Sequence, residues 1–211
     1  MKPEVLVVLD VLGILSFSVS GALVAIKKKM DYLGVCILGV IASIGGGVMR
    51  DILIGRIPPV IFTNPLYLAV AFISSTIFFL ICYFDIHKKA SISVNHLFEN
   101  LFFWFDTVGL ASFTVNGVLV GINYHESFFL CCFLGVITGV GGGVLRDLLA
   151  TQVPAIFVKH VYAAASIAGA VVMMSLWNVN HLAASISGMV VVIVIRFLAR
   201  HFGWNFPKVK N

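Results

Sequence analysis

The chain has 211 residues, 60% hydrophobic and 11% charged, with a mean hydropathy of +1.07 and a formal net charge of +5. A water-soluble domain of this size leaves roughly half its accessible surface to water and could not hide so much apolar side chain, so a soluble globular protein is excluded. The basic excess sits in short clusters between apolar runs, which marks orientation charges beside membrane segments and argues against nucleic acid as a partner.

Crossing a hydrocarbon layer of about 30 Å at about 1.5 Å per residue takes about 20 residues. Seven stretches meet that length: 4–26, 32–54, 65–84, 97–120, 127–149, 160–177 and 181–200. The first is a true span and not a cleaved leader, because Asp10 interrupts its apolar run and the Lys27-Lys28-Lys29 block follows it. The connections are short, so the spans form one bundle and one domain over 1–211. The longest connection, 85–96, carries His87, Lys88 and Lys89 and joins the two halves. The expected fold is all-α and polytopic.

The halves are copies. Ile44–Asp51 reads IGGGVMRD and Val140–Asp147 reads VGGGVLRD, 96 residues later. At the same offset Asp10 meets Asp106, Gly13 meets Gly109, Phe17 meets Phe113, Gly21 meets Gly117 and Pro58 meets Pro154. Repeat A covers 4–84 and repeat B 97–177, with 181–200 as an additional helix. Each copy holds an odd number of spans, so the second enters the membrane upside down relative to the first. This is the inverted-repeat pattern, in which interrupted helices meet near the middle of the bilayer. Lysines and arginines set the sides: the Lys27 block, Lys88, Lys89, Arg146, Lys159, Arg200, Lys208 and Lys210 against Lys2, Arg50 and Arg56. The N-terminus is therefore expected outside and the C-terminus in the cytoplasm.

The two triplets, Gly45-Gly46-Gly47 and Gly141-Gly142-Gly143, admit two readings. Glycines let helices pack closely. Three in a row instead suggest a locally unwound segment lining a polar path, where freed carbonyls would meet a cation and the following half-helix an anion. Arg50, Asp51, Arg146 and Asp147 follow directly. Adjacent helical side chains diverge by about 100°, so each arginine is expected to pair across the bundle, with Asp10 and Asp106 as partners at membrane depth. Those aspartates begin matched polar stripes: Asp10, Gly13, Ser16, Ser20 and Asp106, Gly109, Ser112, Asn116. The alternative is that the charged residues anchor helix ends at the interface.

The remaining polar residues point to little chemistry. Arg56 with Pro58-Pro59 reads as a turn, with Gln152 and Pro154 in the matching place. His96, His125, His160 and His181 lie near span ends and are placed at the interfaces, and Trp104, Trp177 and Trp204 with Tyr32, Tyr67, Tyr124 and Tyr162 fit the interfacial aromatic pattern only in part. Cys36, Cys82, Cys131 and Cys132 are small apolar residues without ligand spacing, so neither a metal site nor a disulfide is expected. With no nucleotide loop and no catalytic constellation, an enzyme is not expected, nor is a cofactor.

The paired GGGVxRD segments within seven spans resemble the prokaryotic trimeric intracellular cation (TRIC) channels, the YicG-like or UPF0126 membrane proteins, over about residues 5–200. The resemblance implies a homotrimer in an inner (plasma) membrane, in contact with membrane lipids. Each subunit would have its own pore between the second and fifth spans, conducting potassium or sodium with modest selectivity. Gly45, Gly46, Gly47, Gly141, Gly142 and Gly143 would be its helix breaks, with Arg50, Asp51, Arg146, Asp147, Asp10 and Asp106 as gate or charge network. The lysine-containing motif of eukaryotic relatives is absent, so their lipid regulation is not implied. Inverted repeats equally suit a secondary transporter of a small zwitterion such as a small amino acid, and a membrane scaffold is a third class.

Overall fold

The computed structural model describes residues 3–87, 94–158 and 161–204. Among them the chain is all-helical: α1 (Pro3–Lys27), α2 (Tyr32–Leu53), α3 (Val60–Thr63), α4 (Pro65–His87), α5 (Val94–Asn123), α6 (Phe128–Leu149), α7 (Ala155–Val158), α8 (Tyr162–Leu176) and α9 (His181–His201). Six helices, α1, α2, α4, α5, α6 and α9, are long and apolar enough to cross a membrane. The chain is a multi-pass membrane protein. α8 has 15 residues, about 22 Å of helix at about 1.5 Å per residue, so the expected span 160–177 is shorter than its neighbours. The orientation charges Lys2, Lys88, Lys89, Lys159, Lys208 and Lys210, and His160, lie outside the described residues.

Local chemistry repeats with the sequence. Asp31 caps α2 by accepting the Gly34 amide at 2.7 Å, and Ser127, its mate at the 96-residue offset, caps α6 through the Leu130 amide at 3.3 Å. The turns before these caps place Lys29 and His125 in the left-handed region. At the far ends the amide of Ile54 bonds Arg50 O and that of Ala150 bonds Arg146 O, and the next residues, Gly55 and Thr151, are again left-handed. The amides of Arg56 and Gln152 then close on Asp51 O and Asp147 O. Such a cap satisfies helix-end carbonyls that hydrocarbon would leave bare. Short helices α3 and α7 follow, where only a proline turn was expected.

Packing follows the same pairing. α1 lies against α2, α4 and α5, while α5 lies against α6, α8 and α1, and α2 crosses α6. α9 is held by α8 and α5 and has no counterpart in the first half. α5 is mostly buried, whereas α4 and α9 turn most of their surface outward. The outward faces carry Ile73, Ile77, Phe129, Phe133, Val190 and Val194, as a lipid-facing surface requires.

The glycine triplets do not break their helices. α2 and α6 run as α-helix through Gly45–Gly47 and Gly141–Gly143. The triplets do face each other, but in direct contact, with no polar space between them. A β-carbon on Gly46 would overlap the carbonyl oxygen of Thr138, and one on Gly142 that of Ala42, the residue matched to Thr138. The first glycine of each triplet lies under the residue that precedes the other's arginine, Leu145 over Gly45 and Met49 over Gly141. Continuous α-helix keeps every backbone bond inside the helix, and the absence of side chains lets two backbones touch. That packing gain outweighs the propensity cost of about 1 kcal/mol per glycine.

Candidate functional site

Two half-sites flank the crossing, labelled outer and inner after the orientation expected from the charge pattern. In the inner half Arg146, with no exposed surface, bonds its neighbour Asp147 (Nε to Oδ1, 2.9 Å) and Asp106 on α5 (Nη1 to Oδ1, 2.8 Å). Its Nη1 also donates to Ser20 on α1. The second oxygen of Asp106 accepts Arg196 Nη2 from α9 at 2.8 Å, and the Tyr162 hydroxyl donates to Asp106 at 3.3 Å. Arg196 also reaches Thr107 and stands over the rings of Phe103 and Tyr162, with Cζ 5.1 and 4.5 Å from their centroids. Asp147 Oδ2 accepts the Ala155 amide at 2.8 Å and so fixes the start of α7. The Arg146 Nη2 is buried without a hydrogen-bond partner among the described residues, and its guanidinium lies 4.7 Å from the Phe102 ring centroid.

The outer half repeats the frame. Arg50 Nε bonds Asp51 Oδ1 at 2.9 Å, and Asp51 Oδ2 accepts the Val60 amide at 2.9 Å, at the start of α3. Arg50 Nη1 crosses to Asn116 on α5, the mate of Ser20. Tyr67 stands within hydrogen-bonding reach of Asp10, as Tyr162 does of Asp106. The third glycine of each triplet leaves room for its own arginine: the Cβ position of Gly47 lies 3.8 Å from Arg50 Nη2, and that of Gly143 lies 3.6 Å from Arg146 Nη2.

Each half opens on a cavity. The outer, about 230 Å³, is lined by Asp10, Ser43, Arg50, Asp51, Arg56 and Tyr67 among others. The inner, about 350 Å³, includes Lys27, Glu99, Asp106, Gln152, Arg196 and Arg200 in its wall. Midway along α1, Phe17 and Phe113 pair with centroids 5.5 Å apart, each against the glycine matched to the other's partner, Gly109 and Gly13.

These placements correct several expectations. The arginines pair with their own neighbours Asp51 and Asp147 as well as across the bundle, because a guanidinium can turn Nε back to the next residue while Nη1 reaches forward. The crossing contacts run to Asn116 and Ser20, not to the opposite repeat's aspartate. Arg146 and Asp106 belong to the same repeat, and Asp10 makes no ion pair among the described residues. Tyr67 and Tyr162, among the aromatics that fit the interfacial pattern only in part, are buried beside the aspartates. Arg196 went unnoticed in the sequence. Its signal is an arginine inside the apolar run 181–200, a position that marks function by default. Among the described residues no cluster is suited to a metal ion.

The sequence profile of a family described as "Glycine transporter" matches residues 7–83 and again 103–178, the two copies of the repeat. A UPF0126 membrane protein of Deinococcus radiodurans is 33% identical over 94% of this chain and 89% of its own length. The UPF0126 inner membrane protein YadS of Escherichia coli K12 is 34% identical over 94% and 93%. Among solved structures, the TRIC trimeric intracellular cation channel orthologue from Rhodobacter sphaeroides superposes with a TM-score of 0.85 at 29% identity, over 95% of this chain and 99% of that one. A prokaryotic TRIC channel in 0.5 M KCl gives 0.87 at 28% identity, over 97% and 100%. The chain belongs to the TRIC/UPF0126 family. Membership accounts for the two-fold character of the site, since the family profile itself falls once on each half-site: Asp10, Arg50 and Tyr67 within 7–83, and Asp106, Arg146 and Tyr162 within 103–178. Arg196 lies beyond both matched stretches.

Proposed function

We propose that this TRIC/UPF0126 protein is a transport protein, not an enzyme, that passes potassium or sodium through each subunit. The likeness to TRIC cation channels over nearly the whole chain carries this reading. The route runs from the outer cavity, past the Phe17–Phe113 pair and the crossing of α2 and α6, to the inner cavity. Gly45, Gly46, Gly47, Gly141, Gly142 and Gly143 form its narrowest part, and separation of α2 from α6 there opens it. Arg50, Asp51, Arg146, Asp147, Asp10 and Asp106 form the charge network on either side. Asp10, Asp51, Asp106 and Asp147 balance Arg50, Arg56, Arg146 and Arg196 charge for charge, which lowers the repulsion that a cation on the route would meet.

The architecture behind it is seven spans, with α8 as the sixth. Repeats A and B are related by a two-fold axis in the membrane plane, and the N-terminus faces outward. The matched caps, turns and glycine contacts support that relation. Three subunits assemble in a bacterial inner membrane, as the trimeric relative's description suggests.

A second reading is uptake of a small zwitterion, favoured by the family's description and by a carboxylate and a guanidinium, Asp10 and Arg56, in one cavity. Planar bilayers under a KCl gradient separate the two. Currents reversing near the potassium potential support the channel, and reversal near the chloride potential overturns it. Absence of current, with saturable exchange of labelled glycine into proteoliposomes, establishes the second reading in its place.

A further inference from the structure

The half-sites are built alike but filled differently. Asp106 receives a tyrosine hydroxyl, the arginine of its own repeat and, on its second oxygen, a guanidinium from α9 at 2.8 Å. Asp10 has the matching tyrosine within reach. Arg50, however, is committed to Asp51 and Asn116, and no helix stands where α9 stands in the other half. Both carboxylates line a cavity, but at Asp106 the Arg196 guanidinium occupies the place beside the carboxylate, and at Asp10 that place belongs to the cavity of about 230 Å³. Asp10 is half-buried, which removes much of the water that would otherwise solvate its charge.

The inner half thus displays what this carboxylate frame accepts: a cationic nitrogen at ion-pair distance, beside a tyrosine hydroxyl and against aromatic rings. In the outer half no described residue places such a group at ion-pair distance from Asp10, and Arg50 and Arg56 stand farther off. We infer that Asp10 binds a small monovalent cationic group from solution, an alkali ion or a primary ammonium, in the position that Arg196 holds against Asp106. Arg56 lines the same cavity, and among the described residues no ion pair or side-chain hydrogen bond holds its guanidinium. It sets the choice between the two sources: a bare alkali ion meets it as a repelling charge, whereas the carboxylate of a small amino acid pairs with it. The inference rests on the outer cavity being the mouth of the solute route.

The test is the thermal midpoint of the purified protein in detergent. Potassium chloride or methylammonium chloride replaces choline chloride at constant ionic strength, or glycine is added. A ligand that binds only the folded protein raises the midpoint in a saturable way. The wild type is expected to respond to at least one probe. Asp10→Asn should weaken that response at least tenfold, and Asp10→Glu should recover part of it. Arg196→Gln should add a second, Asp106-dependent response. Under Arg56→Gln, loss of the glycine response with the methylammonium response intact assigns the site to a zwitterion. An unchanged or stronger potassium response assigns it to the ion.

A wild type deaf to all three probes, or an Asp10→Asn protein with the full response, overturns the inference. If Asp10→Asn fails to fold, Asp10→Glu and Tyr67→Phe carry the test, and unchanged responses in both overturn it. Bilayer currents or uptake in the same preparations separate the two ideas. A response that depends on Asp10 without flux leaves the site and removes the route. Flux with no dependence on Asp10 does the reverse.

Discussion

The outer and inner half-sites share a frame and differ at its central carboxylate: Asp106 pairs with Arg146 and Arg196, whereas Asp10 makes no ion pair among the described residues. Arginine, neighbouring aspartate, tyrosine and the amide that starts a short helix occur in both. Only the inner carboxylate is locked by a third element, α9, through Arg196. Duplication supplied the frame, and an appended helix made its two copies unequal. Two equal half-sites would hold a solute equally at both mouths. In the proposed route, one carboxylate held by Arg196 and one left unpaired would give the two cavities different affinities for a solute.

The strongest way to break the comparison is at the point where the halves touch. Gly46→Ala and Gly142→Ala each drive a methyl into a backbone carbonyl of the facing helix, and a backbone cannot swing aside as a side chain can. Each is expected to cost about 3 kcal/mol or more, at the upper end of overpacking in a core. Gly47→Ala, whose methyl meets only the Arg50 guanidinium end at 3.8 Å, should be nearly neutral. Thermal midpoints of the three purified variants check this. Equal losses at all three positions would mean that the triplets are unwound and not packed.

Next comes the arginine pair. Arg146→Ala takes a guanidinium from two buried carboxylates at once, leaving Asp147 with the Ala155 amide and Gln152 and Asp106 with Arg196 and Tyr162, and should destabilise by about 3–5 kcal/mol. Arg50→Ala takes a guanidinium from one carboxylate only, Asp51, which keeps the Val60 amide, and from the neutral Asn116, and is expected to cost about half as much. Denaturation of both variants, read against membrane accumulation, gives the ratio. Equal losses would mean that the Arg146–Asp106 pair adds nothing to the frame that the two halves share.

Arg196→Gln sharpens the same point with a smaller effect. Asp106 keeps Arg146 and Tyr162, so the loss should be about 1–3 kcal/mol, the range for a hydrogen bond to a charged group. If Arg196 is the lock, bilayer recordings should show a rise in conductance or a changed rectification. An unaltered current would make α9 a structural brace only.

How much of this was legible follows from which signals the chain repeats. Six long apolar helices and the duplication came from spacing, since apolar length and offset are properties of sequence, and the same offset singled out Asp10, Asp106 and the Arg-Asp pairs that the fold places in its two half-sites. The caps at Asp31 and Ser127 and the turns at Lys29 and His125 were latent in the same offset. The contacts of Ser20 with Arg146 and Asn116 with Arg50 were half visible, because both residues lie on the polar stripes. The glycine triplets were misread for a physical reason. Helix propensity is measured on isolated helices and does not see a facing backbone that gains from the missing side chains. Arg196 was missed because the repeat gives it no mate.

The smallest effect tests the offset itself. Gly55 and Thr151 occupy the same left-handed position after α2 and α6, with φ of 71° and 51°. Glycine takes that conformation freely, whereas a side chain there costs about 1–2 kcal/mol, and a β-branched one such as threonine is a rare occupant. Set against this is the greater freedom that glycine loses on folding, about 0.5–1 kcal/mol. Thr151→Gly should therefore stabilise the protein by about 0.5–1 kcal/mol, and Gly55→Thr should destabilise it by a similar amount. Chemical denaturation of the two variants in the same detergent measures both. Opposite signs would show that the two caps are one structural solution written with different residues. A loss from Thr151→Gly would mean that the threonine side chain has a contact worth more than the strain it imposes.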